Sequence, residues 1–188
     1  LHFLRFSTHP LAESTAALGL KPQQTASIPI PRMHIRPAIS HDAEAISALI
    51  RSVAHYFTLH PQGQGTEEFL KTITGEAIDG LIHAAHFRYF AGFMGDDLAG
   101  VVAIRDDKHL YHLFVSPQFQ RQGLASQLWA HAKADALRRG NPGEFTVNSS
   151  PFAVPVYAAF GFVPVGDKVE THGIAFVPMK LSDPFPAV

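Results

Sequence analysis

The stretch that most constrains this chain is a strand-like run that gives way to a loop and resumes as a helix around one glycine. Leu113-Phe-Val-Ser-Pro-Gln-Phe-Gln-Arg-Gln-Gly-Leu-Ala-Ser-Gln-Leu-Trp129 opens apolar and then takes a helical pattern over about Gly123–Arg138, with Leu124, Leu128, Ala132 and Ala136 at four-residue steps. Gly140 and Pro142 end it as a C-cap glycine and a following proline do. The helix begins through Gln120-x-x-Gly123-x-Ala125. First-turn amides of a helix have no intrahelical partner and its dipole is positive there, so an anion is stabilised at that end. Gly123 lets phosphate oxygens reach the backbone, Ala125 adds only a methyl, and Arg121 adds a formal positive charge. A pyrophosphate suits that cradle. The nucleotide P-loop is excluded because no Gly-Lys-Ser/Thr occurs. The dinucleotide fingerprint needs two more glycines opening a parallel βαβ unit, whereas the strands before this one read as hairpins.

Around that element the chain divides unevenly. Residues 1–32 hold Pro10, Pro22, Pro29 and Pro31 with no sustained period, and their longest apolar run, Ala16–Leu20, is shorter than a signal-peptide core of about 7–15 residues. They read as an irregular extension, and a transit peptide is the alternative because Glu13 is the only acidic residue there. A single domain is expected over residues 33–181, followed by a short tail over residues 182–188. The balance of 15 Lys+Arg against 16 Asp+Glu, without a basic run, argues against a nucleic-acid binder. No apolar run reaches the ~20 residues that span a bilayer, so a cytoplasmic protein without a membrane partner is expected. With no Cys, disulfides, thiolate metal sites and a Cys nucleophile are excluded.

From Met33 the pattern is regular. Met33–Arg36 reads as a strand stopped by Pro37, and Ser40 as the cap of a helix with Asp42 and Glu44 in its first turn. Ile46, Leu49, Ile50, Val53 and Phe57 form one apolar stripe. After a loop at Gly63 and Gly65, short helical patterns centre on 67–73 and 76–85. Strands follow at Phe87–Met94 and Leu98–Ile104, joined by Gly95-Asp96-Asp97, then at Lys108–Val115. Beyond the Gly123 helix come a strand at Glu144–Asn148, a short helix at Phe152–Phe160, and strands at Phe162–Val165 and Ile174–Met179. The order β-α-α-β-β-β-α-β-α-β-β predicts an α/β (α+β) fold, a central mixed sheet with helices on both faces.

His112-Leu-Phe-Val-Ser-Pro-Gln-Phe-Gln-Arg-Gln-Gly-Leu-Ala125 resembles the acetyl-CoA-binding motif of the GNAT (general-control-related) N-acetyltransferase superfamily, Arg/Gln-x-x-Gly-x-Gly/Ala reached from a strand. Val147-Asn-Ser-Ser-Pro-Phe-Ala-Val-Pro-Val-Tyr-Ala-Ala-Phe-Gly-Phe162 resembles the family's second motif, N-x-x-A-x-x-x-Y-x-x-x-G-F. The likeness covers about Met33 to Leu181. It departs at Ser150, which stands for the usual Asn, with Asn148 two places earlier, and at Pro155, which requires a helix that is short or starts near Ala153. The resemblance implies an acyl-CoA fold with acetyl-CoA as cosubstrate. Its pyrophosphate would lie on backbone amides of Arg121, Gln122, Gly123, Leu124, Ala125 and Ser126, after Gln120, and its pantetheine would pair along Leu113, Phe114 and Val115 in a wedge between the fourth and fifth strands. Asn148, Ser150, Ala153 and Tyr157 complete that implied binding set.

The implied reaction is direct attack of an amine on the thioester, which needs a neutral amine and gains from an acid beside the departing thiolate. Tyr157 matches the family's acid position; the alternative is that its hydroxyl only hydrogen-bonds the cosubstrate. His112 is the candidate base, against the alternative of a buried structural imidazole. His109 is an odd number of residues away, so on a regular strand only one of the two faces the site. Glu170, His172 and a water relay are further alternatives for the proton. His83 and His86 make at most half a metal site, and no metal is expected. The resemblance therefore implies an N-acetyltransferase acting on a primary amine of a small molecule or peptide, with a homodimer as the assembly that relatives suggest, the alternative being a non-catalytic acyl-CoA-binding regulatory module.

Overall fold

The computed structural model describes residues 32–60 and 63–182. The expected extension therefore lies outside the described residues except for Arg32, and so does the expected tail beyond Ser182. Strand β1 (His34–Pro37) lies at the sheet edge, antiparallel to β2 (Phe87–Met94). Pro37 does not precede a break; it is the last residue of β1, opposite Phe90, and an edge strand tolerates a residue with no N–H. Nor does Ser40 cap the first helix. A 3-10 turn at Ser40–Asp42 leads into α1 (Ala43–Ser52), and the Asp42 carboxylate accepts the Ile39 N–H at 2.9 Å together with both terminal nitrogens of Arg36 at 2.7 and 2.8 Å. Those hydrogen bonds from Arg36 hold Asp42 below the usual carboxylate range.

Helix α1 buries Ile46, Leu49 and Ile50, and Val53 continues the stripe past its end. Two short helices follow, α2 (Glu67–Lys71) and α3 (Gly75–His83); the Ser47 hydroxyl donates to the Ile73 carbonyl at 2.6 Å and ties α1 to the link between them. β2 turns at Gly95 (φ 61°) into β3 (Asp97–Arg105), which pairs antiparallel with β4 (His109–Val115). Helix α4 (Leu124–Arg138) crosses to β5 (Glu144–Ser149), and α5 (Val154–Ala159), β6 (Val163–Pro164), β7 (Val169–Thr171) and β8 (Ile174–Ser182) close the chain.

The sheet runs β1-β2-β3-β4-β5-β8-β6 with β7 paired to β8, and among the described pairings only β4–β5 is parallel. One face packs on α4 through Leu124, Leu128, Trp129, Ala132 and Ala136, the other on α1 and α3 through Ile46, Ile50 and Ile78. Each fully buried aliphatic side chain contributes about 1.5–3 kcal/mol. A Cβ at Gly100 would stand 2.8 Å from both Leu128 Cδ1 and the Phe114 carbonyl oxygen, so glycine there lets α4 seat close on the sheet. The mixed α/β architecture is the one the sequence predicts. The three helical patterns read before β2 become α1, α2 and α3, and the structure adds the strand β7, whose three residues carry no alternation of apolar and polar side chains. Pro155 sits in the first turn of the six-residue α5, where its missing N–H costs nothing.

Candidate active site

The two parallel strands at the centre of the sheet pair only at His109–Thr146 and Leu110–Val147, then separate. The cause on the β4 side is a bulge. Its register with β3 passes from Ile104–Leu110 to Ala103–His112, which leaves Tyr111 as an extra residue that bends the strand. The Ser116 N–H donates to the Ala99 carbonyl at 2.9 Å. By the alternation of an antiparallel ladder, the peptide groups of His112 and Phe114 then face β3, and those of Leu113 and Val115 face the opening. Gln120 Nε2 already donates to the Val115 carbonyl at 3.1 Å. Among the described residues, the Leu113 N–H and carbonyl and the Val115 N–H remain as a hydrogen-bonding edge without a strand beside it.

A cavity of about 620 Å3 occupies this wedge. Leu113, Phe114, Val115, Gln120, Asn148, Ser150, Ala153, Tyr157 and His112 all line it, so the structure brings both predicted motifs to one place. Arg121, Gln122, Gly123, Leu124, Ala125 and Ser126 lie beyond its lining, at the start of α4. Arg121 and Gly123 both take left-handed backbone conformations, φ 63° and 77°, which turn the chain sharply into the helix. Among the described residues no side chain caps α4, which leaves the amides of its first turn for a ligand. Leu124 sends its side chain into the core and offers the cradle only its backbone. The Gln120 amide is engaged with the Pro117 carbonyl.

The bulge also resets side-chain parity. On a regular strand His109 and His112 would face opposite ways; with Tyr111 inserted between them, both line the cavity, so the parity expectation fails. His112 is buried, its Nδ1 lies 2.8 Å from the Tyr89 hydroxyl, and burial pulls its pKa down to about 3. The imidazole is therefore neutral at neutral pH. Burial also lowers His109, whose Nδ1 lies 2.8 Å from Thr146 Oγ1. Tyr157 points the other way chemically: burial raises its pKa, keeping the phenol protonated. Its ring packs edge-on against Phe160 and Phe162. The Ser150 oxygen accepts the Ala153 N–H at 3.2 Å and caps the turn leading into α5. His172, in the β7–β8 turn, reaches the cavity, whereas Glu170 does not line it and is paired with Lys168 at 2.7 Å.

Sequence reasoning missed one wall. Tyr56, Phe57, Phe69 and Phe152 line the cavity beside Tyr111 and Phe114. Phe57 reads as the end of the α1 stripe, and no periodicity links it to Phe69 or Phe152. His83 and His86 do not converge either; the first bonds the Asp79 carbonyl and the second packs on Phe87.

A family model described as acetyltransferase (GNAT) domain matches residues 57–182. No curated protein matches the sequence. Among solved structures, the PaiA N-acetyltransferase from Thermoplasma acidophilum in complex with coenzyme A is similar at 15% identity, covering 81% of this chain and 99% of its own, with a TM-score of 0.66. The ribosomal-protein-S18-alanine N-acetyltransferase from Escherichia coli is similar at 17% identity over 80% of this chain and 93% of that one, TM-score 0.60. A mutant spermidine N-acetyltransferase from Vibrio cholerae is similar at 19% identity over 79% and 93%, TM-score 0.56. At these identities the likeness is one of fold.

Proposed function

Starting from the fact that this chain belongs to the GNAT acetyltransferase family, we propose that it transfers an acetyl group from acetyl-CoA to a primary amine of a small molecule or peptide. The observation that carries this reading is the unpaired edge of β4 at Leu113 and Val115, opening on a cavity of about 620 Å3 lined up to Gln120, with the start of α4 a few residues further along the chain. The residues present fit the cosubstrate. Leu113 and Val115 offer a strand edge to the two amides of a pantetheine arm. The first-turn amides from Gly123 to Ser126, with the Arg121 guanidinium beside them, offer donors and positive charge to a pyrophosphate. A solved neighbour at the same fold holds coenzyme A. When bound, the cosubstrate supplies an acyl thioester open to nucleophilic attack.

The chain's own groups supply the rest. In the family's reaction the amine attacks the thioester directly, and a chain without Cys is compatible with that route. An ammonium entering this apolar wedge loses hydration, which lowers its pKa and favours the neutral, attacking form. His112 lines the cavity as a neutral imidazole that can hydrogen-bond the amine; with its pKa held at about 3 it does not keep the amine's proton, which leaves to water. Tyr157 donates a hydrogen bond to the departing sulfur, a role its protonated state at working pH permits. The test is release of CoA thiol from acetyl-CoA with an amine panel, a clean assay because the protein adds no thiol background. Amine-dependent release with a product heavier by one acetyl group supports the proposal. Cosubstrate binding with no turnover for any amine would overturn it in favour of a binding module.

A further inference from the structure

We infer that the acceptor is a primary monoamine on an aromatic body, with neither a second cation nor a carboxylate; this rests on the acetyl-transfer reading of the same cavity. One wall of the cavity is made of rings. Phe57 stands at its centre, with ring centroids 5.2 Å from Phe69 and 5.9 Å from Phe114. Tyr111 continues it, 4.6 Å from the His112 ring, which is itself 5.3 Å from Phe114. At the mouth Tyr56 stacks on Phe152 at 4.2 Å and 13°. These rings come from four separate places: the segment after α1, α2, β4 and the turn before α5. A core stripe on one helix would not gather them; tertiary structure brings them to a cavity, and Phe152 stays 61% exposed there.

Charge narrows the class further. Among the described residues the lining contains no Lys, Arg or Asp. Its one carboxylate, Glu68, is paired with Lys71 at 2.6 Å, and both side chains lie mostly in solvent. A polyamine would bring a second ammonium into a wall with no free carboxylate, and burying an unpaired charge is unfavourable. An amino-acid acceptor would bring a carboxylate with no guanidinium or ammonium to meet it. An aromatic ring on the acceptor, by contrast, replaces water against Phe57, Phe69 and Phe114 with edge and offset ring contacts.

The experiment uses the full chain, acetyl-CoA, and three acceptors: 2-phenylethylamine, spermidine and free L-phenylalanine. CoA thiol release gives kcat/KM, and thermal melts of the CoA-saturated protein give binding. The expected kcat/KM for phenylethylamine exceeds the other two by about tenfold or more, and it alone raises the melting temperature of the CoA-bound protein. Phe69→Leu, which keeps an apolar side chain and removes the ring, is expected to raise the phenylethylamine KM while leaving that for acetyl-CoA in place. A preference for spermidine or phenylalanine, or turnover of another amine with none for phenylethylamine, overturns the acceptor class while leaving the acetyl-transfer reading standing; CoA binding with no turnover of any amine overturns that reading itself. Failure of CoA itself to stabilise the protein overturns the acetyl-transfer reading and this inference with it.

Discussion

Replacing His112 by Gln is expected to flatten the acid side of the protein's stability curve. In the unfolded chain this imidazole titrates near 6.5, and in the folded one burial holds it at about 3. Between those values the unfolded state binds the proton and the folded state does not, so stability falls as pH falls below about 6.5. At pH 4.5 the imbalance amounts to about 3 kcal/mol, and at pH 7.5 it is close to zero. For a domain of this size the acid loss corresponds to a melting shift of about 5–10 °C. Gln at position 112 keeps a polar group for the Tyr89 hydroxyl, 2.8 Å away in the native protein, and removes the titration. Urea unfolding followed by far-UV circular dichroism at pH 7.5, 6.0 and 4.5 measures both proteins. The wild type is expected to lose about 3 kcal/mol more than H112Q between the two ends of that range. Parallel curves would refute the reasoning, because they would mean that the folded protein protonates His112 freely.

Gly123→Glu is expected to weaken acetyl-CoA binding by about a hundredfold or more, since a carboxylate would meet the pyrophosphate, while Gly123→Gln separates that repulsion from the shared strain of a side chain at φ 77°; equal titration affinities for the two variants would remove the phosphate role from the start of α4. Tyr157→Phe is expected to slow turnover by about a hundredfold with acetyl-CoA affinity and melting temperature close to wild type, and an unaltered rate would take Tyr157 out of the proton-donor role. Asp42→Asn removes a charged partner from Arg36 and weakens the cap at Ile39, for an expected loss of about 1.5–3 kcal/mol at neutral pH, nearer the lower figure because Arg36 is partly exposed. As the folded Asp42 pKa is lowered, the wild type's advantage is present above pH ~4 and disappears as pH falls below it, which denaturant titrations at pH 7 and pH 2.5 check.

The sequence made the Gly123 turn and the second motif legible because each is a local matter. A helix that must start from a left-handed residue without a capping side chain calls for glycine, and a proline within α5 can only stand in its first turn. The bulge at Tyr111 was not legible. It exists only in the register of β4 against β3, and no residue type in His109–Val115 announces it. That single insertion decides which histidines face the cavity. Asp42 replaced Ser40 as cap for a similar reason: its carboxylate is fixed by Arg36, which arrives from β1 across the turn. The ring wall depends on four segments meeting, and residues such as Phe57 and Phe69 read equally well as ordinary core in a pattern of periods.

The central claim is that the wedge between β4 and β5, continued by the start of α4, holds acetyl-CoA. A thermal melt of the full chain with and without acetyl-CoA tests it before any acceptor is known. At about 100 times its Kd the ligand adds roughly 2.7 kcal/mol, which predicts a rise of about 5–10 °C. Adenosine nucleotides that lack the pantetheine arm are expected to give less, since they leave the Leu113 and Val115 edge unpaired. No rise at millimolar acetyl-CoA would contradict the account, leaving a protein of this fold whose wedge does not take the cosubstrate.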